Sequence, residues 1–448
     1  PYTTLFRSGM PFSSDSLAAA VARQIKSNVF IPPNPGTVGA LGISLLAFRN
    51  TKNSSITVDR LVSFLKSGNP EKESFICDSN VGCGKTSINC KIDKIKFKKN
   101  CKNQTYTWGG ACSLWDTTIS KLKLPNKSPD PFKERELLIK RIKANLKEDT
   151  ACPSIAITDV FQLKELFPFY ITFLNEIGFN IIAPEFDNEI ILQKGLNEAN
   201  VLFCAPMQLY YGSIMLMLEI KSDFIFIPFM QNIPKTINEI HTKNCPIILG
   251  SSEVLKSDLT NKCSVKIISP VISFGEGNFE SYEFIKSCKE IGHFLNKDDT
   301  SIIKSIKKAT EVQKQFETDC FEIGDNALQY CKQNNILPVI VLGRPYTIYN
   351  NILNSNVFNT IRENGAIPIP IDCYRIQNSI PVYETIYWGY CRNIIRAAHQ
   401  IAEQKDVYSV LCSNYSCGPD SFTQHFFSEI MKNKRSEEHT SELQSPNT

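Results

Sequence analysis

A chain of 448 residues with 42% hydrophobic side chains can bury two or three cores of ordinary size, which excludes a disordered or fibrous polymer. Its net charge is only +4, with Lys and Arg scattered among acidic residues, so nothing marks a nucleic-acid surface, and no apolar run reaches the roughly 18–20 residues of a membrane span. Sixteen cysteines stand against five histidines; spread over a long chain, they read as thiols in a reducing cytoplasm, and as soft ligands they favour iron-sulfur clusters or structural zinc.

In chain order, Pro1-Tyr-Thr-Thr-Leu-Phe-Arg-Ser8 and Arg435-Ser-Glu-Glu-His-Thr-Ser-Glu-Leu-Gln-Ser445 resemble in-frame translations of paired sequencing adapters, so residues 1–8 and 435–448 are set aside from fold reasoning. A short strand at Val29–Ile31 meets a Pro/Gly turn, and a small-residue helix starts at Gly39. From residue 52 to about 147 the composition turns Lys/Asn-rich. A helix is expected at Val58–Lys66, then a β-rich module with five cysteines at Phe75–Trp115. A helical linker follows at Phe132–Leu146, its charge run read as a solvated face.

Beyond Ala151 strands and helices alternate as in βαβ units. Strands are expected at Ser154–Ile157, Asn180–Ala183, Asn200–Phe203, Phe224–Pro228 and Pro246–Leu249, with helices that include Leu163–Ile177 and Gly212–Ile220. After a long helical stretch, Asp298–Asn334, a second series runs strand Pro338–Leu342, helix Asn356–Asn364, strand Ile367–Ile371, helix Glu384–Glu403, strand Tyr408–Cys412 and helix Asp420–Lys432. Buried parallel strands of this kind make open sheets that bind ligands at their carboxyl ends. Cys204-Ala-Pro206, Gly343-Arg-Pro-Tyr346, Asp372-Cys373 and the loop Cys412–Ser421 fall there, while Cys245-Pro246 precedes an expected strand. Asp420 or Ser421 is the expected N-cap of the last helix, leaving Cys417 on the loop. His425 lies about two turns from Cys417, too far for a Cys-His pair, and no nucleophile elbow or dinucleotide fingerprint is present, so no catalytic residue is nominated.

Gly84-Lys85-Thr86 ends like a phosphate loop, but Ser79 stands where that loop needs its first glycine, and Glu71–Ser74 are too polar for the buried strand before it. The same stretch read for thiols gives Cys77, Cys83, Cys90, Cys101 and Cys112, with gaps wider than zinc-ribbon pairs.

Gly343-Arg-Pro-Tyr346, Tyr387-Trp-Gly-Tyr390 with Arg396-Ala-Ala398, and Asn414-Tyr-Ser-Cys-Gly-Pro-Asp-Ser-Phe422 resemble the 2-hydroxyacyl-CoA dehydratase and double-cubane-cluster superfamily. Leu166-Phe-Pro-Phe169, Cys204-Ala-Pro206 with Gly212, and Asn244-Cys-Pro246 resemble its branch of large acyl-CoA dehydratase activase-related proteins, over about residues 55–434. The resemblance implies an α/β chain with two Rossmann-like parallel-sheet subdomains and a crevice between them, preceded by a small cysteine-bearing module and the tail of an actin-like ATPase fold. The implied boundaries are 9–50 for the ATPase remnant, 51–150 for the module and linker, 151–330 for the first subdomain and 331–434 for a truncated second.

The resemblance also implies an iron-sulfur cluster, [4Fe-4S] or double-cubane, on Cys204, Cys245 and Cys417, with Arg344 orienting an anionic group and Cys373 and Cys412 as weaker ligand candidates. A second site is implied at Cys77, Cys90 and Cys112, and ATP would act only through the missing upstream activase domain. The implied activity is ATP-coupled low-potential electron transfer in a cytoplasmic homo-oligomer, with a ferredoxin or flavodoxin as donor and an acyl-CoA as substrate. The alternatives are a 2-hydroxyacyl-CoA dehydratase subunit using cluster iron as Lewis acid, and a non-redox zinc-bearing structural or regulatory protein. The chain departs from the family pattern at Phe229, where relatives often carry cysteine, and at Thr347, where they often carry histidine.

Overall fold

The computed structural model describes residues 5–6, 15–25, 29–31, 37–50, 71–78, 90–99, 102–110, 113–115, 124–125, 127–149, 151–186, 188–199, 203–236, 239–259, 265–414 and 416–432. The chain divides into two compact units, residues 1–72 with 95–105, and residues 73–94 with 106–448. In the first, β1 (Leu5–Phe6) pairs in parallel with β2 (Val29–Phe30), and helices α1 (Asp15–Ile25) and α2 (Val38–Asn50) follow their strands. The helix expected at Val58–Lys66 lies outside the described residues. Strands β3 (Glu71–Ile76), β4 (Lys91–Lys99) and β5 (Lys102–Trp108) account for the β-rich reading of the cysteine module.

The second unit holds the sheets that matter for function. Helix α3 (Pro131–Ala144) starts on Asp130, whose carboxylate accepts from the Lys133 amide at 3.2 Å, with Pro131 at a position where no N–H is needed. Strands β6 (Ser154–Ala156), β7 (Asn180–Ile182), β8 (Phe224–Phe226) and β10 (Lys266–Ile268) form a parallel sheet in the order β10-β8-β6-β7. Just after β8 and β10 in the chain, β9 (Phe229–Met230) pairs in parallel with β11 (Val271–Ile272). Helices α4 (Phe167–Glu176), α5 (Asn188–Glu198), α6 (Ala205–Met217) and α7 (Pro246–Leu259) connect these strands, and α8 (Tyr282–His293) follows the last of them.

The second sheet is β12 (Pro338–Leu342) between β13 (Ile367–Pro370) and β14 (Tyr408–Leu411), all parallel. Its helices are the single turn α10 (Pro345–Ile348), α11 (Val357–Glu363), α12 (Gly389–Glu403) and α13 (Gly418–Met431). Between the sheets runs α9 (Asp299–Asn334), capped by the Asp298 carboxylate on the Ser301 amide at 2.9 Å and closed by Asn335 in the left-handed region. Ile302, Ile306, Ala309, Gln313, Phe316, Cys320, Gly324, Ala327 and Cys331 recur every three or four residues as its buried stripe, the pattern of a helix that packs along its whole length.

Two expectations need correction. Pro246–Leu249 is not a strand but the first turn of α7: proline suits a helix start, and Ile248, Ser251, Ser252, Leu255 and Leu259 bury one helical face. The sheet position is taken by β10 instead. The charge run of the linker is not wholly solvated either, because Arg135 has no exposed surface. Its guanidinium pairs with Asp372 at 3.2 Å and Glu136 at 2.8 Å, donates to the Lys164 carbonyl at 3.3 Å, and lies over the rings of Tyr349 (4.3 Å) and Phe316 (5.0 Å). The segment Asn200–Leu202, where most of another strand was expected, lies outside the described residues. Among the described residues no helix is long and apolar enough to cross a membrane.

Replacing Arg135 with Met removes the charge that offsets Asp372 and leaves that largely buried carboxylate without its cation. The expected loss is about 3–5 kcal/mol, the cost of breaking a buried pair from one side. A drop in the urea midpoint at unchanged slope would show it, and an unchanged midpoint would mean that the aromatic contacts alone hold α3.

Candidate functional site at three cysteine-led helix starts

Cys204, Cys245 and Cys417 each stand immediately before a helix that opens with proline. Cys204-Ala-Pro206 begins α6, Cys245-Pro246 begins α7, and Cys417-Gly-Pro419 begins α13. Cys417 itself is the cap residue of α13, three or four residues earlier than the Asp420 or Ser421 expected from sequence, because Pro419 takes the favoured first-turn position. A thiol placed there looks onto unpaired backbone amides and the positive end of the helix dipole. The Ile248 amide donates to Cys245 Sγ at 3.5 Å, and the Met207 and Asp420 amides pull on the Cys204 and Cys417 thiols.

Backbone contacts bring these starts together. Gly212 and Gly195 let α5 and α6 touch backbone to backbone; a Cβ on Gly212 would lie 1.9 Å from the Ile191 carbonyl oxygen. At the second sheet, a Cβ on Gly343 would meet the Cys412 carbonyl oxygen at 2.8 Å and Ile348 Cγ2 at 2.6 Å, so only glycine allows the loops after β12 and β14 to approach. Thr347 anchors the same junction by accepting from Asn414 Nδ2 at 2.6 Å. At the position where the resemblance leads one to expect histidine, this chain has a hydroxyl that joins the two loops.

The residue between the thiols is Arg344, 5% exposed. Its Nη2 pairs with Asp420 at 2.8 Å and reaches Cys391 Sγ at 3.7 Å, its Nη1 donates to Tyr346 Oη at 3.0 Å, and its Nε is buried without a partner. Its charge acts on Cys204, Cys391 and Cys417, and Cys245 in turn acts on Cys204 and Tyr346. Burial dominates: it pushes Cys204 and Cys391 above the ordinary thiol range and Cys417 up to about 12, with Arg344 pulling each back. These groups are protonated thiols at neutral pH.

The four nominated residues Cys204, Cys245, Cys417 and Arg344 therefore gather in one place. Cys391, Asp420 and Tyr346 belong there too and were not nominated. Tyr390-Cys391 follows Gly389 at the start of α12, a local signal parallel to the other cysteine-led starts, but no proline flags it. Of the weaker candidates, Cys412 is buried with its thiol pushed up to about 12, and Cys373 forms a hydrogen-bonded thiol pair with Cys320. Cys77 and Cys90 meet in the cysteine module, where the Cys77 amide donates to the Cys90 carbonyl at 2.9 Å and Trp115 Nε1 to Cys77 Sγ at 3.1 Å. Cys112, and with it Cys83, Cys101 and Gly84-Lys85-Thr86, lies outside the described residues.

Residues 154–374 match the family described as CoA enzyme activase uncharacterised domain (DUF2229). This match fits the acyl-CoA dehydratase activase-related superfamily. The matched span contains Cys204, Cys245 and Arg344, while Cys391, Cys417 and Asp420 come from the α12–α13 region beyond it. No curated protein matches the chain.

Soft donors and an unpartnered arginine N–H suit a thiolate-bound anionic group in donor chemistry. In placement they do not form a ligand shell: among the described residues no three His, Cys, Asp or Glu side chains are arranged to hold a metal ion. The Arg344–Asp420 pair occupies the common ground instead. Alkylation of Cys417 by iodoacetamide at fixed mildly alkaline pH should accelerate in Asp420→Asn, which removes a charge that raises the thiol, and slow in Arg344→Met, which removes one that lowers it. Peptide-resolved mass spectrometry reads both rates, and equal rates would mean that access rather than charge governs this thiol.

Proposed function

We propose that this chain is the cysteine-bearing, CoA enzyme activase-related part of an acyl-CoA dehydratase or reductase system, acting in ATP-coupled, low-potential electron transfer. The observation that carries this reading is the gathering of Cys204, Cys245 and Cys417, from helix starts on both sheets, around the single guanidinium of Arg344. The match of residues 154–374 supports the same assignment. In this reading Cys204, Cys245 and Cys417 would hold an iron-sulfur cluster, and Arg344 Nε would donate to it. A bound cluster supplies one-electron transfer at a potential set by thiolate ligation and burial.

The chain's own residues impose conditions on loading. Cys204 and Cys417, whose thiols are protonated at neutral pH, must lose their protons, so loading is favoured as pH rises. Arg344 offsets the accumulating negative charge, and the Arg344–Asp420 pair must rearrange to open the common ground. The ATPase that would drive reduction belongs to an upstream module, and a ferredoxin or flavodoxin would be the donor. Rossmann-like subdomains, an acyl-CoA substrate and a homo-oligomer are part of the same proposal.

Anaerobic reconstitution with ferrous iron and sulfide, followed by metal and sulfide analysis and visible spectroscopy, provides the test. Iron and sulfide in equal amounts, with a thiolate-to-iron absorption band, are expected for the wild type, and Cys245→Ala and Cys417→Ala should each lose most of that iron. Zinc without sulfide would instead identify a structural metal protein. Full iron content in Cys417→Ala would remove the second sheet from the site.

A further inference from the structure

Beside the thiol crevice lies a separate cavity of about 650 Å³, reached by Gly343 and Pro345 on one side and walled by the apolar rings of Phe279, Phe316 and Tyr374. One face is polar, and it belongs to α12. Tyr390, Asn393 and Arg396 succeed one another at intervals of three residues and all line the cavity. Arg396 is 3% exposed, yet every group it touches is neutral: Nη1 donates to Thr236 Oγ1 at 3.0 Å, and Nη2 to the Gln377 and Ile380 carbonyls at 3.4 and 3.5 Å. Its Nε is buried with no partner, and so is Asn393 Oδ1 on the same face. Among the described residues no carboxylate pairs with Arg396, whereas the other buried arginines each have one: Arg135 has Asp372, Arg344 has Asp420 and Arg392 has Glu239.

A buried cation without a counter-charge is costly, and a guanidinium residue that lines a cavity with no paired carboxylate is the arrangement that an anion completes. The apolar walls select what the anion is attached to. We propose that this cavity is a binding site for a small carboxylic acid with an apolar body, its carboxylate paired with Arg396 and its body against Phe279, Phe316 and Tyr374. This goes beyond the electron-transfer reading and does not depend on it, since no cysteine of the thiol crevice takes part.

The opposite end of the polar face adds a pH dependence. Tyr390 lies two helical turns from Arg396, about 9 Å along the axis, and bonds to Glu165. Glu165 carries a buried Oε2 without a partner and faces Asp372 and Glu317, with Arg135 beyond. Burial first, then the two neighbouring carboxylates, push it up to about 7. Below that pH it is neutral and tolerates a second carboxylate in the cavity; above it, Glu165 is charged and repels one. Affinity for a carboxylate therefore falls as pH rises through about 7. Lys235, Lys314 and Glu280 also line the cavity, the last two paired at 3.6 Å.

Calorimetric titration of the full chain, prepared without added iron, with sodium hexanoate and sodium benzoate tests this, with hexanamide and benzamide as neutral controls. The acids should bind saturably and the amides much more weakly. Arg396→Gln should weaken the acids roughly tenfold or more, Arg396→Lys should restore most of that loss by returning the charge, and Glu165→Gln should flatten the pH dependence. Absence of saturation in the wild type, equal binding of acids and amides, or wild-type affinity in Arg396→Gln would each overturn the assignment. Because the protein is iron-free, none of these results bears on cluster loading.

Discussion

A guanidinium without exposed surface, that of Arg135, touches each layer that must meet before any site can exist. It reaches from α3 to the Lys164 carbonyl behind the first sheet, to Asp372 at the carboxyl end of the second, and to the ring of Phe316 on α9. Tyr349 closes the arrangement by lying under the cation while donating to the other Asp372 oxygen at 2.7 Å. Such a charge is tolerable only when all its partners are in place. It therefore acts as a register mark: sliding one sheet relative to the other strands the cation, while the hydrophobic stripe of α9 alone would accept several neighbouring registers.

The two polar centres solve the problem of buried charge differently. Around Arg344 the charge is matched by Asp420 and moderated by thiols and a phenol, so this arginine tunes its neighbours. Arg396 is held only by neutral oxygens at the edge of an open volume, so it awaits a neighbour.

Most of the second sheet was legible from sequence, because Pro-Val-Ile-Val-Leu and Ile-Pro-Ile-Pro are continuous apolar runs of strand length, buried on both faces. The mistaken strand at Pro246–Leu249 shows the limit of that signal: four apolar residues suit a strand or one helical turn equally, and the deciding pattern, burial of Leu255 and Leu259, begins only afterwards. Cys204, Cys245 and Cys417 are singled out by the family resemblance, and the helix start that proline gives each of them shows only in the folded chain. Cys391, Asp420, Glu165 and the open side of Arg396 could not be singled out, since their roles depend on which groups lie opposite them after the sheets have packed. No local pattern distinguishes Arg392, whose charge meets Glu239, from Arg396, one turn later, whose charge meets no carboxylate among the described residues.

Helix α9 spans 36 residues, about 54 Å at the helical rise. Its middle turns bond α4 through Gln313 and the Phe169 amide, and its later turns carry Cys320 and Gly324 against the segment that ends β13. The two sheets are thus bolted to one rod at different points along it. A hinge of the kind that opens a clamshell would have to bend that rod, so the inexpensive motion is a twist about its long axis. Such a twist moves the loops farthest from α9 most.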